Sequence, residues 1–216
     1  MKKALCVAFV LSCFVTLAAA QDVPKFEVFG GYGIQRLGYS DISAADLGGI
    51  FDYYGLVGIA EAKRFMYKGF VGSFTYNATD VFGIEAEFMY NSGDILNADF
   101  DVEGTMVSAK AKYSDFAFLV GPRFALRKSE VVTPFVHALV GFDRAELSVE
   151  ASALGASESQ DVGSDTGLGI ALGGGLDVNV TPNFSIRVIQ ADYYLTNHYD
   201  ENMNNLALAF GAVFRF

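Results

Sequence analysis

Cysteine is scarce in this 216-residue chain, occurring only as Cys6 and Cys13. Both fall in a stretch that reads as a secretory signal, residues 1–20. Lys2 and Lys3 form its positive start, Ala4 to Leu17 its apolar run, and Ala18 and Ala20 an A-x-A cleavage site before Gln21. The run is too short for a membrane anchor and ends in small residues. Lipoprotein processing at Cys13 fits poorly, because Val10 stands where that signal calls for leucine. The remainder, residues 21–216, is expected to form one domain with no disulfide, no thiol nucleophile and no cysteine metal site. Basic residues are also few: 15 Lys and Arg face 25 Asp and Glu, for a formal net charge of −10. Such a chain repels phosphate backbones, so nucleic acid is set aside as a partner. A long hydrophobic run is missing as well. Although 52% of the residues are hydrophobic, no segment after the signal approaches the roughly 18 unbroken apolar residues of a spanning helix. An apolar chain without such helices can live in lipid only by pairing every backbone group between strands and leaving no edge.

What the chain does contain is period-two alternation rich in Phe, Val, Ile and Tyr, interrupted by clusters of Gly, Asn, Asp and Ser. The pattern predicts strands over 25–38, 67–77, 81–91, 113–127, 132–147, 166–180, 184–196 and 204–216, about eight in all, which matches the smallest membrane barrels. Their spacing alternates. Tight turns are expected at Ala78-Thr79-Asp80, Lys128-Ser129-Glu130 and Thr181-Pro182-Asn183, and long connections at 39–66, 92–112, 148–165 and 197–203. Short periplasmic turns and longer outer loops have this rhythm, with both termini in the periplasm. The predicted fold is all-β: a closed antiparallel eight-stranded up-and-down transmembrane β-barrel. Tyr39, Tyr67, Tyr90, Tyr113, Tyr193 and Tyr194 fall near the outer strand ends. Phe26, Phe82, Phe124, Phe184, Phe216 and Tyr76 fall near the inner ones, as two aromatic girdles would arrange them.

The last residues, NNLALAFGAVFRF, alternate cleanly. Leu206, Leu208, Phe210, Ala212, Phe214 and Phe216 share one face, and Asn205, Ala207, Ala209, Gly211, Val213 and Arg215 the other. Soluble chains rarely end on an aromatic strand, because free termini fray and are hydrophilic. The segment resembles the C-terminal assembly signal of bacterial outer-membrane proteins, with Phe210, Phe214 and Phe216 in the signal positions. FEVFGGYG, TPFVHALVGFDRA and FSIRVIQADYYLT extend the likeness along the chain. Together they resemble the small bacterial outer-membrane β-barrel family, of the eight-stranded OmpA/OmpX type. The resemblance implies location in the cell outer membrane and contact with outer-membrane lipid and lipopolysaccharide. It also implies recognition of the last strand by the barrel-insertion machinery. It implies no particular reaction, and no peptidoglycan-binding domain is expected after Phe216.

Strand parity assigns the inside of such a barrel, which is just wide enough to be filled by side chains. On the sixth strand Leu168, Ile170, Leu172, Leu176 and Val178 are expected to face lipid, with Gly169, Ala171, Gly173, Gly175, Asp177 and Asn179 inward. On the fourth, Phe116, Phe118, Val120, Phe124 and Leu126 face out and Arg123 in. Glu27, Glu85, Glu87, His137, Arg187 and Arg215 join Arg123 and Asp177 inside, as a structural ion-pair network. Closure of the ring sets Glu27 beside Arg215. If the last tight turn pairs Val180 with Phe184, Asp177 lies opposite Arg187. Simple alternation would leave Gln190 and Asp192 in lipid, so a bulge is expected after Val188.

Other motifs carry little chemistry. The glycines near Gly167-Leu-Gly169 lack the following helix of a dinucleotide site and suit a crowded interior. His198 near Asp200 has no recognisable nucleophile motif beside it. Asp94, Asp99, Asp101 and Glu103, and the group Glu158, Asp161 and Asp165, read as solvated acidic loops without an EF-hand pattern. No catalytic residue, metal site or cofactor is therefore expected. The sequence points to a non-enzymatic barrel with a structural or adhesion-like role, contacting an extracellular ligand through its outer loops. A narrow pore for ions or very small solutes is the alternative, and a lipid-modifying enzyme the next.

Overall fold

The computed structural model describes residues 23–36, 66–102, 105–153, 156–198 and 201–216. Eight antiparallel strands in chain order form a closed barrel. They are β1 (Phe26–Arg36), β2 (Met66–Asn77), β3 (Phe82–Val102), β4 (Thr105–Ala125), β5 (Val132–Ala153), β6 (Ala156–Thr181), β7 (Phe184–His198) and β8 (Glu201–Arg215). The expected signal, Tyr39, and residues 39–65 of the first outer connection lie outside the described residues, as do Glu103 and Asp200.

Closure satisfies the backbone that hydrocarbon cannot solvate. β1 pairs with β8 from Glu27↔Arg215 to Arg36↔Leu206. The seam is completed by Phe26 N donating to Phe216 O at 3.1 Å and Phe216 N to Phe26 O at 2.9 Å. The tight turns are fastened by hydroxyls: Thr79 Oγ1 accepts from Phe82 N at 2.9 Å, and Ser129 Oγ from Val131 N at 3.2 Å. At the third turn Thr181, not Val180, pairs with Phe184, and the ladder slips by one residue after Asn179. The expected Val180–Phe184 pair is therefore wrong at the turn. Asp177 nevertheless lies opposite Arg187, because the slip occurs on the turn side of that pair.

Three of the four expected outer loops need correction. Residues 92–102 and 105–112 continue β3 and β4, 148–153 and 156–165 continue β5 and β6, and 197–198 and 201–203 continue β7 and β8. β3 and β4 have 21 residues each, β5 has 22 and β6 has 26, whereas about 9–11 tilted residues cross the hydrocarbon. β2 pairs with β3 only as far as Lys68↔Ser92, and β7 with β6 only as far as Gly169↔Thr196. Beyond those points β3–β6 run on as a four-stranded sheet above the ring. Among the described residues, 93–102 of β3 are paired along the strand with β4 and 156–168 of β6 with β5.

The flank that meets lipid is aromatic and aliphatic. Phe70 packs on Phe88 and Tyr90, Phe116 on Phe88 and Phe142, and Tyr32 on Phe210. The girdle assignment holds for Tyr90 and Tyr193 but fails for Tyr67 and Tyr194. These two are buried inside the ring, and Tyr113 stacks on Tyr67 at 5.0 Å. Their height along the strand is as expected, but Tyr67 shares parity with Val71 on β2 and Tyr194 with Asp192 on β7, the interior face.

Candidate functional site

The interior is layered along the barrel axis. Nearest the periplasmic turns lies a web of guanidinium and carboxylate groups. Glu27 on β1 faces three arginines: Arg127 Nη2 at 2.7 Å, Arg123 Nη1 at 3.3 Å and Arg215 Nε at 3.7 Å. Asp177 on β6 faces Arg187 Nε at 2.9 Å, Arg123 Nη2 at 3.2 Å and Arg215 Nη2 at 3.6 Å. Arg123 thus spans the two carboxylates and also donates to Thr75 Oγ1 at 3.1 Å. Arg215 Nη1 donates to Asn179 Oδ1 and Ser185 Oγ, both at 2.6 Å. The phenyl ring of Phe135 lies between two cations, Arg123 at 4.1 Å and Arg187 at 4.3 Å from its centroid, and Arg187 also covers Phe29 at 4.1 Å. Desolvated cations gain from ring faces as well as from carboxylates.

Above this web sits an acid–imidazole group. His137 Nδ1 is 2.9 Å from Glu85 Oε2, and Nε2 is 2.7 Å from Asp192 Oδ1. Ser73 donates to Glu85 Oε1 at 2.6 Å. Gln190 Nε2 donates to Glu87 Oε2 at 2.8 Å and to Asp192 Oδ2 at 2.7 Å. Arg187 Nη1 donates to Gln190 Oε1 at 2.7 Å, which ties this group to the web beneath. The bulge delivers Gln190 and Asp192: β7 slips between Arg187 and Gln190, so Val188 and Ile189 both face lipid and the next polar side chains turn inward.

An apolar plug follows, with Val71, Met89, Leu119, Leu139, Ala171 and Tyr194 among its members. Tyr194 hydroxyl donates to Asp143. At the outer mouth Asn91 Nδ2 donates to Gln35 Oε1 at 2.8 Å, and Gln35 Nε2 to Asp115 Oδ2 at 3.1 Å. Space is tight throughout. A Cβ at Gly173 would overlap the Asp192 carboxylate, and one at Gly175 would come within 2.8 Å of the Phe135 ring, so the glycine-rich stretch of β6 leaves room for its neighbours.

The eight interior residues expected from the sequence, Glu27, Glu85, Glu87, Arg123, His137, Asp177, Arg187 and Arg215, are all buried. Seven lie in ion-pair contacts with one another. Glu87 does not, its hydrogen bond running to the amide of Gln190. Arg127 was missed, although it shares parity with Arg123 and Ala125. Phe210 and Phe214 of β8, and Phe216 just after it, all point into the lipid zone. Asp94, Asp99 and Asp101 stand on β3, and Glu158, Asp161 and Asp165 on β6. His198 ends β7 opposite Glu201.

Comparison with known proteins gives the following likenesses. Ail, the attachment invasion locus protein of Yersinia pestis, is similar over 89% of this chain and 99% of its own at 21% identity, with a TM-score of 0.48. Neisserial surface protein A is similar over 91% and 100% at 14% identity, TM-score 0.46. Outer membrane protein W of E. coli is similar over 91% and 100% at 13% identity, TM-score 0.40. No curated protein shows significant sequence similarity to the chain. The sequence pattern of the outer membrane protein beta-barrel domain matches residues 5–216. With its closed eight-stranded ring, apolar flank and polar interior, the chain belongs to that family, and its place is the cell outer membrane.

Proposed function

We propose that this protein is a non-catalytic membrane anchor that holds the β3–β6 projection above the outer membrane for contact with an extracellular ligand. The observation that carries the reading is strand length. β3 to β6 are about twice as long as the span requires, and the excess remains paired into a sheet instead of dissolving into loops. A sheet with open edges accepts an added strand from a partner through its unpaired N–H and C=O groups. The stretch 156–164 of β6 carries Glu158 and Asp161 and no basic residue, so an extended lysine- or arginine-bearing segment complements it. The filled interior supports an anchoring role over a conducting one, since Arg123, Arg187, Glu85 and Glu87 are each 0–1% exposed. His137 is equally unsuited to catalysis on an outside substrate, because carboxylates occupy both its ring nitrogens. Outer-membrane lipid and lipopolysaccharide surround the apolar flank in this reading. The chain end formed by β8, with Phe210 and Phe214, and the following Phe216 is offered to the insertion machinery.

The test uses cells displaying the intact protein or a variant whose β3–β4 and β5–β6 projections are shortened to tight turns. Both are screened against lipopolysaccharide, glycans and basic extended peptides. Binding by the intact protein and its loss in a shortened, still heat-modifiable barrel is the expected result. Equal binding by the two forms would refute the proposal.

A further inference from the structure

Glu87 does not share in the arginine web. Glu27 and Asp177 each meet three guanidiniums, and Glu85 lies 4.0 Å from Arg123. Glu87, fully buried, has the Gln190 amide on Oε2, while its Oε1 meets no donor among the described residues. A carboxylate sealed from water must be neutralised by a cation or by a proton, since an unpaired charge there costs several kcal/mol. Glu85, Glu87 and His137 each present one ligand atom such that all three atoms lie within 4.8 Å of one another. With metal–ligand bonds of about 2.0–2.2 Å in a tetrahedral set, ligand atoms stand about 3.3–3.6 Å apart, so the three close in by up to about 1.5 Å to share one ion.

We propose that Glu85, Glu87 and His137 bind a single divalent transition-metal cation of the Zn²⁺ type within the barrel. One imidazole nitrogen with carboxylate oxygens suits zinc and its neighbours better than Ca²⁺ or Mg²⁺, which take all-oxygen sets. The second sphere is already in place. Asp192 sits 2.7 Å from His137 Nε2, so Nε2–H donates to that carboxylate and leaves Nδ1, 2.9 Å from Glu85 Oε2, as the nitrogen that takes the metal. A carboxylate that fixes the tautomer of a ligating histidine in this way strengthens its bond to the metal. Binding displaces the proton of Nδ1, and the two positive charges of the ion offset the charges of Glu85 and Glu87. Because the group is walled in by the apolar plug on one side and the arginine web on the other, the ion enters as the barrel closes.

The experiment takes the full chain, refolded from urea into detergent micelles with EDTA, Zn²⁺ or Co²⁺, then desalted. Elemental analysis counts metal per barrel, and heat-modifiable migration on SDS gels certifies folding. Wild type is expected to retain about one zinc per barrel and to melt higher when refolded with zinc than with EDTA. The cobalt form is expected to show visible absorption. Glu87→Gln, neutral and nearly isosteric, and His137→Gln are expected to lose both signals, and Asp192→Asn to weaken binding about 10–100-fold. If His137→Gln does not fold, Glu87→Gln and the zinc-dependent melting shift decide the matter. Wild type retaining no more metal than Glu87→Gln would overturn the proposal and assign a proton to Glu87.

Discussion

Replacing Asp177 by alanine removes the acceptor shared by Arg187, Arg123 and Arg215 at 2.9, 3.2 and 3.6 Å. The three are not stranded equally. Arg123 keeps Glu27 at 3.3 Å and Thr75 at 3.1 Å, and Arg215 keeps Asn179 and Ser185 at 2.6 Å each. Arg187 keeps the neutral Gln190 oxygen at 2.7 Å and two phenyl faces. Breaking a buried pair from one side costs about 3–5 kcal/mol, most of it the uncompensated charge left behind. That charge sits on Arg187, so removing it as well should recover part of the loss. Asp177→Ala and Arg187→Met are each expected to destabilise the barrel by about 3–5 kcal/mol. The double variant should cost about 1.5–3 kcal/mol less than the sum of the two. The chain has no tryptophan, so equilibrium urea unfolding in lipid vesicles is followed by far-ultraviolet circular dichroism, tyrosine emission and gel mobility. Additivity to within about 0.5 kcal/mol would show that the 2.9 Å contact contributes no coupling and would refute the reasoning.

Deleting Val188 should be tolerated, because it restores strict alternation along β7 and removes the register shifts at Leu176/Asp177 toward β6 and at Arg187/Gln190 toward β8. Deleting Ala191 instead turns Asp192 toward lipid and should abolish the heat-modifiable form. Gly173→Leu is expected to destabilise by at least about 1–3 kcal/mol, since the atoms in its way include the Ala191 carbonyl, and stability equal to wild type in the same unfolding assay would count against the packing described. Removing Phe216 should lower the amount of barrel in the outer membrane of living cells while leaving refolding in detergent nearly unchanged. Equal losses in both would make the residue merely structural. Planar-bilayer recordings of refolded wild type should show no steady conductance, and a stable open level would sink the plugged-interior reading.

The parts legible in the sequence are those where one face of a strand meets lipid and the other a polar interior. There the contrast in hydropathy is largest, and parity alone placed Arg123, Glu85, Glu87, His137 and Arg187 inside. It even located the bulge, because Gln190 and Asp192 have no tolerable place in hydrocarbon. The same reasoning fails where the contrast vanishes. In the extensions of β3 and β6, GDILNADFDV and ASESQDVGSD, turn-forming Gly, Asn, Asp and Ser stand in paired positions and mask the alternation that residues 97–102 still carry. Tyr67 and Tyr194 show a different failure: an aromatic near a strand end suits a girdle by height, and only its parity reveals that it fills the interior.

The acid–imidazole group was illegible for a third reason, and it bears on how such interiors are built. Glu85 and Glu87 come from β3, His137 from β5 and Asp192 from β7, strands that are not neighbours in the ring. Pairing register fixes contacts between adjacent strands, as it does for Asp177 and Arg187, but contacts across the lumen depend on strand tilt and stagger. Those are properties of the closed ring and of no single segment. An eight-stranded barrel also leaves no room for bulk water to solvate what it encloses, so each inward charge must find its partner across the lumen or along the seam. That demand explains why Arg123 reaches both Glu27 and Asp177, and why Gln190 bridges Glu87 to Asp192. It is unmet at the Oε1 oxygen of Glu87, which like Oδ1 of Asp115 receives no hydrogen bond among the described residues, so that a further proton or cation is called for beside Glu87.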